Sequence, residues 1–339
     1  MARPPHANLL VAALSAATLS ACATAPAPAL RAGRYAGRTV VVTGASSGFG
    51  RGVALSVGAQ GGSVVLAARR ADLLEEVAAE IRASGGRALA VPTDVSDPAQ
   101  MARLAETAAE RFGRIDVWVN DAGVIAIGRF DQTPAADHAR VVDVNLKGVI
   151  FGSHEAMRRF RAQHSGVLIN VGSVESKLPL PYQASYVATK HAVLGLDQAL
   201  IQELRAGGER DVHVVTVMPW AADTPIWDHA GNSTGRETRA PMVEGPDPVV
   251  RAVVDAGLRP RPVIAVGARA KGAVLAHQWL PGLTETVAGG VYNRVQMEQA
   301  PGGVAPNSGT LHAPEAEGRT VDGGVRARWK AEDAARRPR

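Results

Sequence analysis

Residues 39–52 read TVVVTGASSGFGRG. The β-branched run Val40, Val41 and Val42 has the composition of a strand buried on both faces, as in a parallel sheet. Gly44, Gly48 and Gly50 stand where that strand must turn into a helix. Without side chains at the glycines the backbone can approach an anion closely, and the helix adds free N–H groups and the positive end of its dipole. The turn is therefore suited to a pyrophosphate. A glycine-rich turn of this kind also arises for packing alone, so residues elsewhere must separate the two readings.

At 339 residues and 46% apolar content, the chain can bury one large α/β domain with residues to spare at both ends. Four Tyr, five Phe and five Trp are few for this length, so the core must be built mainly from Val, Leu, Ile and Ala. The net charge of +5 does not point to nucleic acid, because the arginines alternate with acids such as Glu75, Glu76 and Glu80 and no basic block adjoins stacking aromatics. A single cysteine, Cys22, excludes an internal disulfide framework and any multi-cysteine metal site. The histidines show no metal-ligand spacing with carboxylates, so no metal is expected.

From Val40 onward strand-like and helix-like segments alternate, the pattern of a doubly wound parallel α/β sheet of the Rossmann type. Strands are expected at 40–42, 63–68, 88–91, 115–119, 167–171, 212–218 and 263–266. Helices are expected over 49–60, from a cap at Asp72 through Ile81, from Asp97–Pro98 with the proline at the first helical position, around Asn145, and over 185–205. Residues 37–300 form the expected single domain. Within it, 220–248 reads as an irregular loop after strand six, placed to cover a substrate beyond the carboxyl ends of the strands. An apolar helical pattern returns over 271–295. Residues 301–339, rich in Gly, Pro, Ala and charge, read as a low-order tail, disordered or draped on the surface.

Residues 1–36 form a leader and tether. Arg3, an apolar stretch over 9–19 and Leu19-Ser20-Ala21-Cys22 resemble a bacterial lipoprotein signal, whose cysteine carries a lipid anchor. The apolar stretch is too short to span a bilayer as a helix. The competing reading is an Ala-rich leader with a chance cysteine.

Ser173 just past strand five, Tyr186 and Lys190 form the second chemical signal. Positions four apart on a helix share a face, so Tyr186 and Lys190 point into one space. An ammonium beside a phenol favours the phenolate, which makes the tyrosine a usable acid or base, and Ser173 can donate to an oxygen on which charge grows.

Together these residues resemble the short-chain dehydrogenase/reductase family over about 37–266. The motifs are Thr43-Gly44-Ala45-Ser46-Ser47-Gly48-Phe49-Gly50, Asn120-Asp121-Ala122-Gly123, Asn145, Ser173, and Tyr186-x-x-x-Lys190. The second departs from the family, which usually has another asparagine where this chain has Asp121. The resemblance implies that Tyr186 donates or accepts the proton. Lys190 lowers its pKa and binds the nicotinamide ribose, Ser173 orients the substrate oxygen, and Asn145 holds a water in the proton relay. It also implies cofactor contacts from Gly44, Ser46, Ser47, Gly48, Phe49, Gly50, Asp94, Val95, Asn120, Ala122, Gly123, Tyr186, Lys190 and Thr224. Strand two ends in Ala68-Arg69-Arg70 rather than in an acid. Arg69 is thus placed to pair with a ribose 2′-phosphate through its planar fork, which favours NADP(H) over NAD(H).

Two positions stay open. Trp220 follows Pro219 where the family usually has glycine, and it forms either one wall of an apolar pocket with Leu178, Leu180, Tyr182 and Trp227 or ordinary loop packing. Glu175 either reads a polar substrate group or is a solvated loop carboxylate. The expected function is an NADP(H)-dependent oxidoreductase acting on a small-molecule secondary alcohol or ketone, with assembly as a homodimer or homotetramer implied by the family. The alternative is a membrane-displayed NADP(H)-binding sensor or scaffold with little catalysis. Location is divided between the anchor that Cys22 suggests and the cytoplasmic cofactor pool that the chemistry needs.

Overall fold

A computed structural model describes residues 33–336; residues 1–32 of the expected leader, Cys22 among them, lie outside the described residues, whereas Tyr35 at its end is buried and donates to the Val254 carbonyl at 2.6 Å. Seven strands, β1 (Thr39–Thr43), β2 (Ser63–Ala68), β3 (Arg87–Pro92), β4 (Val117–Asn120), β5 (Gly166–Val171), β6 (Val212–Met218) and β7 (Val263–Ala265), form one sheet. Their order is β3-β2-β1-β4-β5-β6-β7, and every pairing is parallel. The order reverses between β1 and β4, and ligands of such sheets bind at that switch point, beyond the carboxyl ends of the strands. Val41 pairs with Val65 on one side and Trp118 on the other. All three are fully buried, which explains the unbroken apolar run of β1.

Helices cover both faces. On one, α1 (Gly48–Ala59) packs against α2 (Ala71–Ala83) and α7 (Asp247–Ala256). On the other, α3 (Pro98–Phe112) packs against α5 (Gly148–Gln163), while α4 (Ala135–Val142) lies against α6 (Ala184–Gly207). Two further helices, α8 (Gly267–Trp279) and α9 (Pro281–Asn293), pack on each other, and α10 (Val325–Arg336) closes the described chain.

Local chemistry explains the boundaries. Asp97 caps α3 by accepting from the N–H groups of Ala99 and Gln100, with Pro98 at the first helical position. Asp72 is not the cap of α2. Arg70 takes that place, and Asp72 sits in the first turn, where it still complements the helix dipole. The helix expected around Asn145 is three pieces, α4, a π-helical turn Asp143–Lys147 and α5, so Asn145 lies in the widened turn. The apolar pattern over 271–295 is the α8–α9 pair. Residues 308–324 lie against the carboxyl ends of the strands, held by hydrogen bonds described below.

Candidate active site

The turn after β1 is shaped by close approach. Gly44 has φ +73°, and a Cβ there would stand 2.8 Å from the Ala122 backbone nitrogen. A Cβ on Gly50 would stand 2.5 Å from the Gly44 carbonyl oxygen. Both contacts are impossible, so the glycines let the loops after β1 and β4 touch. Thr43 Oγ1 ties the two loops by accepting from the N–H groups of Asp121 (3.1 Å) and Ala122 (3.3 Å). Gly44, Ser46, Ser47, Gly48 and Phe49 then line the floor of a cavity of about 590 Å3, reached from the carboxyl edge of the sheet.

At the end of β2 both arginines face this cleft. Arg70 donates to the hydroxyls of Ser46 (2.9 Å) and Ser47 (2.8 Å), drawing the glycine turn and the β2 end together. Arg69 donates to the carbonyls of Thr310 (2.7 Å) and Leu311 (3.2 Å), and Arg70 to that of Glu317 (2.8 Å). Arg51 reaches the Arg319 carbonyl at 2.7 Å, and the Gly48 N–H reaches Thr320 at 2.9 Å. Residues 308–324 thus form a strap across the phosphate end of the cleft, held by side chain to backbone bonds across more than 230 residues of sequence. Asp94 and Val95 line the same end. Burial pushes the Asp94 carboxyl upward, but hydrogen bonds from Ser96 and the pairing with Arg140 at 2.8 Å prevail and hold it below its ordinary range.

The chemical end is formed by Ser173, Tyr186 and Lys190, which line the cavity with Ala122 and Gly123. Ser173 caps the short turn Val174–Ser176, its hydroxyl accepting from the Glu175 N–H at 3.1 Å. Tyr186 and Lys190 lie one turn apart on α6, with Lys190 Nζ 5.4 Å from the centre of the tyrosine ring. Lys190 also donates to the Val171 carbonyl at 2.7 Å, which anchors it to the end of β5. Burial pulls Lys190 down to about 8, opposed by the charges of Asp121 and Glu175. Burial also lifts Asp121 to about 7 and Glu175 to about 8, with Lys190 acting against both shifts. The Tyr186 phenol is pushed above its ordinary value, first by burial and then by the Glu175 charge, while Ser173 acts the other way. Its neutral form therefore dominates at neutral pH.

Two polar residues expected in the site are turned away from it. Asn145 is fully buried, and its amide donates to and its carbonyl accepts from the Val124 backbone, both at 2.8 Å. It braces the loop after β4 instead of lining the cleft. Asn120 accepts from the Trp118 indole at 2.8 Å and donates to Asn170 at 2.8 Å. Asn170 donates to Asp197 at 2.5 Å, and Thr216 donates to the other Asp197 oxygen at 2.6 Å. This buried chain links β4, β5 and β6 to α6, the helix that carries Tyr186 and Lys190.

Asp197→Ala leaves the Asn170 and Thr216 donors unpaired and is expected to cost about 2–4 kcal/mol in urea unfolding. Burial lifts Asp197 from its ordinary 3.8 to about 7. The folded state thus binds a proton that the unfolded chain releases, so this group's contribution falls as pH rises from about 4 to about 7. Measured against Asp197→Asn, which cannot titrate, wild-type stability is expected to decline across that window; an unchanged difference would refute it.

The substrate end is apolar. Leu178, Leu180, Trp220 and Trp227 line the cavity, but Tyr182 does not; its hydroxyl donates to Asn293 at 2.5 Å. Trp220 is a wall residue whose indole donates to the Met242 carbonyl at 3.2 Å, and Thr224 lies beside it in the cleft. The opposite wall consists of α8 and α9 through residues such as Ala276, Leu283 and Val287, together with Tyr292. Neither those helices, nor Gln183, nor the strap was legible as part of the site. An apolar helical pattern does not state what its face meets, and here much of that face stays exposed, Leu283 at 60% and Val287 at 57%.

The residues present fit a nicotinamide dinucleotide. A Cβ would clash at Gly44 and Gly50 of the glycine cradle, two arginines stand at the end of β2, and a serine, tyrosine and lysine stand at the other end of one cleft. The fold and this site define an oxidoreductase of the Rossmann type that uses a nicotinamide cofactor. The chain belongs to the short-chain dehydrogenase family, whose model matches residues 38–234. It is 32% identical to the uncharacterized oxidoreductase YxnA of Bacillus subtilis over 73% of this chain and 70% of the relative. It is 40% identical to 3beta-hydroxysteroid dehydrogenase 1 of Eggerthella lenta over 56% of this chain and 72% of the relative. Among solved structures, a short-chain dehydrogenase/reductase from Burkholderia phymatum in complex with NAD matches with TM-score 0.67 and 28% identity, over 74% of this chain and 95% of that one. An alcohol dehydrogenase from Thermococcus sibiricus complexed with 5-hydroxy-NADP matches with TM-score 0.58 and 27% identity, over 67% and 94%.

Proposed function

We propose that the chain is an NADP(H)-dependent oxidoreductase interconverting a secondary alcohol and a ketone, with Tyr186 as proton donor or acceptor. The observation that carries this reading is the convergence of Ser173, Tyr186 and Lys190 on the cleft that holds the glycine turn. When bound, the nicotinamide supplies or takes the hydride. Ser173 donates a hydrogen bond to the substrate oxygen, and the Tyr186 hydroxyl gives that oxygen its proton as negative charge grows there. Lys190, fixed by the Val171 carbonyl, keeps a positive charge near the phenol. A phenol held neutral by burial can serve as the proton donor in ketone reduction. Asn145 acts through the loop it braces, positioning Ala122 and Gly123.

The preference for NADP(H) rests on Arg69 and Arg70 and on the lack of an acid at the end of β2. Arg69→Asp is expected to lower the ratio of kcat/KM for NADPH over NADH by about 10- to 100-fold, as loss of a charge-assisted hydrogen bond implies. An unchanged ratio would remove Arg69 from cofactor choice. The apolar walls and the likeness to a hydroxysteroid dehydrogenase support a bulky, mostly apolar substrate. The deciding experiment incubates purified protein with NADPH and a broad panel of apolar ketones and follows the nicotinamide absorbance. Turnover that depends on Tyr186 supports the reading, and its absence across the panel defeats it.

We also propose assembly as a homodimer or homotetramer through α5 and α6, and lipid attachment at Cys22. Cys22→Ser is expected to release the protein from the membrane fraction on cell fractionation; unchanged partitioning would eliminate the anchor.

A further inference from the structure

Glu175, Gln183 and Tyr292 come from three separate elements: the turn after Ser173, the residue preceding α6 and the last turn of α9. Each is at most 7% exposed, and all three line the cavity that holds Tyr186. Among the described residues, Glu175 Oε2, Gln183 Oε1 and Tyr292 Oη make no hydrogen bond of normal geometry, although the Gln183 side chain comes close enough to act on the Tyr292 phenol; Gln60 Oε1 is the one other buried side-chain atom of this kind. Buried polar groups are rarely left unpaired, because doing so costs stability. Three of four such atoms on residues that line one cavity therefore point to something the cavity takes in. The three are also electrostatic neighbours. The Glu175 charge acts on both Tyr186 and Tyr292, and Gln183 lies against the Tyr292 phenol.

We infer that Glu175, Gln183 and Tyr292 form a second polar subsite, which takes a hydroxyl group carried by the same substrate molecule whose reacting oxygen lies at Ser173 and Tyr186. This rests on the oxidoreductase reading for the identity of the cleft. The donor and acceptor inventory selects the ligand group. Gln183 Oε1 accepts, the Glu175 carboxyl, lifted by burial to about 8, can donate or accept, and the Tyr292 hydroxyl does both, so the group they meet must be able to donate and to accept. A hydroxyl does both and satisfies an acceptor and Tyr292 at once. Leu178, Leu180 and Val291 surround the subsite with apolar contact, so the substrate class is a mostly apolar ketone bearing one further hydroxyl.

The test uses a series of apolar hydroxyketones in which the hydroxyl steps outward from the carbonyl, each paired with its deoxy parent and its aminoketone counterpart. The reading is the ratio of kcat/KM within each pair, for wild type, Tyr292→Phe and Glu175→Leu. Wild type is expected to favour the hydroxyketone by about tenfold or more at one hydroxyl position. Tyr292→Phe, which removes one oxygen and keeps the ring, is expected to reduce that preference, and Glu175→Leu to bring it within about threefold of unity. A wild-type ratio near unity at every position, a preference that survives both substitutions, or a stronger preference for the amine overturns the inference. A parallel measurement needs no turnover. The diols should raise the Tm of the NADPH-loaded wild type more than the corresponding mono-alcohols do, and Tyr292→Phe should lose the difference. Absence of turnover with this Tm difference intact defeats the oxidoreductase reading but not the subsite; equal Tm shifts defeat the subsite.

Discussion

Tyr186→Phe is expected to lower kcat for ketone reduction about 10²- to 10⁴-fold, the range ascribed to a positioned general acid. The substitution removes one oxygen and leaves the ring, which packs against the apolar clusters on both sides of the site. Unfolding midpoint and NADPH affinity should therefore stay close to wild type, and the loss should fall on kcat. Single-turnover measurement of nicotinamide oxidation, with affinity from fluorescence titration, separates the two effects. Turnover retained within about threefold would mean that the proton comes from elsewhere, and that Tyr186 is a packing residue.

Gly44→Ala is expected to destabilise the fold by about 3 kcal/mol or more and to remove cofactor binding. Part of that cost is the positive φ of +73°, worth about 1–2 kcal/mol for a residue with a Cβ. The remainder is the collision 2.8 Å from the Ala122 backbone nitrogen, which no side-chain rotation relieves. Gly85 supplies the control, because its φ is +85° but nothing lies within 4 Å of an added Cβ. Gly85→Ala should carry only the backbone cost and leave cofactor binding intact. Equal losses in urea unfolding for the two variants would show that the loops after β1 and β4 do not need this contact.

The sheet was legible because each strand carries its own signal. A β-branched run between glycines states its burial without reference to the rest of the chain, and six helices show their apolar spacing locally. The grouping of Ser173, Tyr186 and Lys190 in one cleft was legible for a related reason: Tyr186 and Lys190 share one helix face through a spacing of four, and Ser173 follows directly from a strand end. Asn120 shows the limit of this. Its place at the end of β4 suggests a cofactor contact, yet the side chain alternation of a strand turns it into the core, where Asn170 and Asp197 receive it.

Other features depend on partners distant in sequence. Residues 308–324 have the composition of a disordered tail, and they contribute to the site through backbone carbonyls, whose placement no composition can reveal. What holds them is a set of arginines that lie 171 to 268 positions away in the chain. Glu175 read equally well as a solvated carboxylate. Its burial is decided by α9, which brings Tyr292 over it from more than a hundred residues downstream.

The sequence by itself determined the doubly wound sheet, the glycine cradle and the Ser173, Tyr186 and Lys190 set, because periodicity, glycine geometry and helical spacing act over a few residues. Only the tertiary structure decided that Asn145 and Asn120 serve as braces, that the C-terminal segment straps the cofactor end, and that Glu175 meets Gln183 and Tyr292 inside an apolar cleft. Burial and hydrogen-bond partnership are properties of the space around a residue, and that space is assembled from the whole chain.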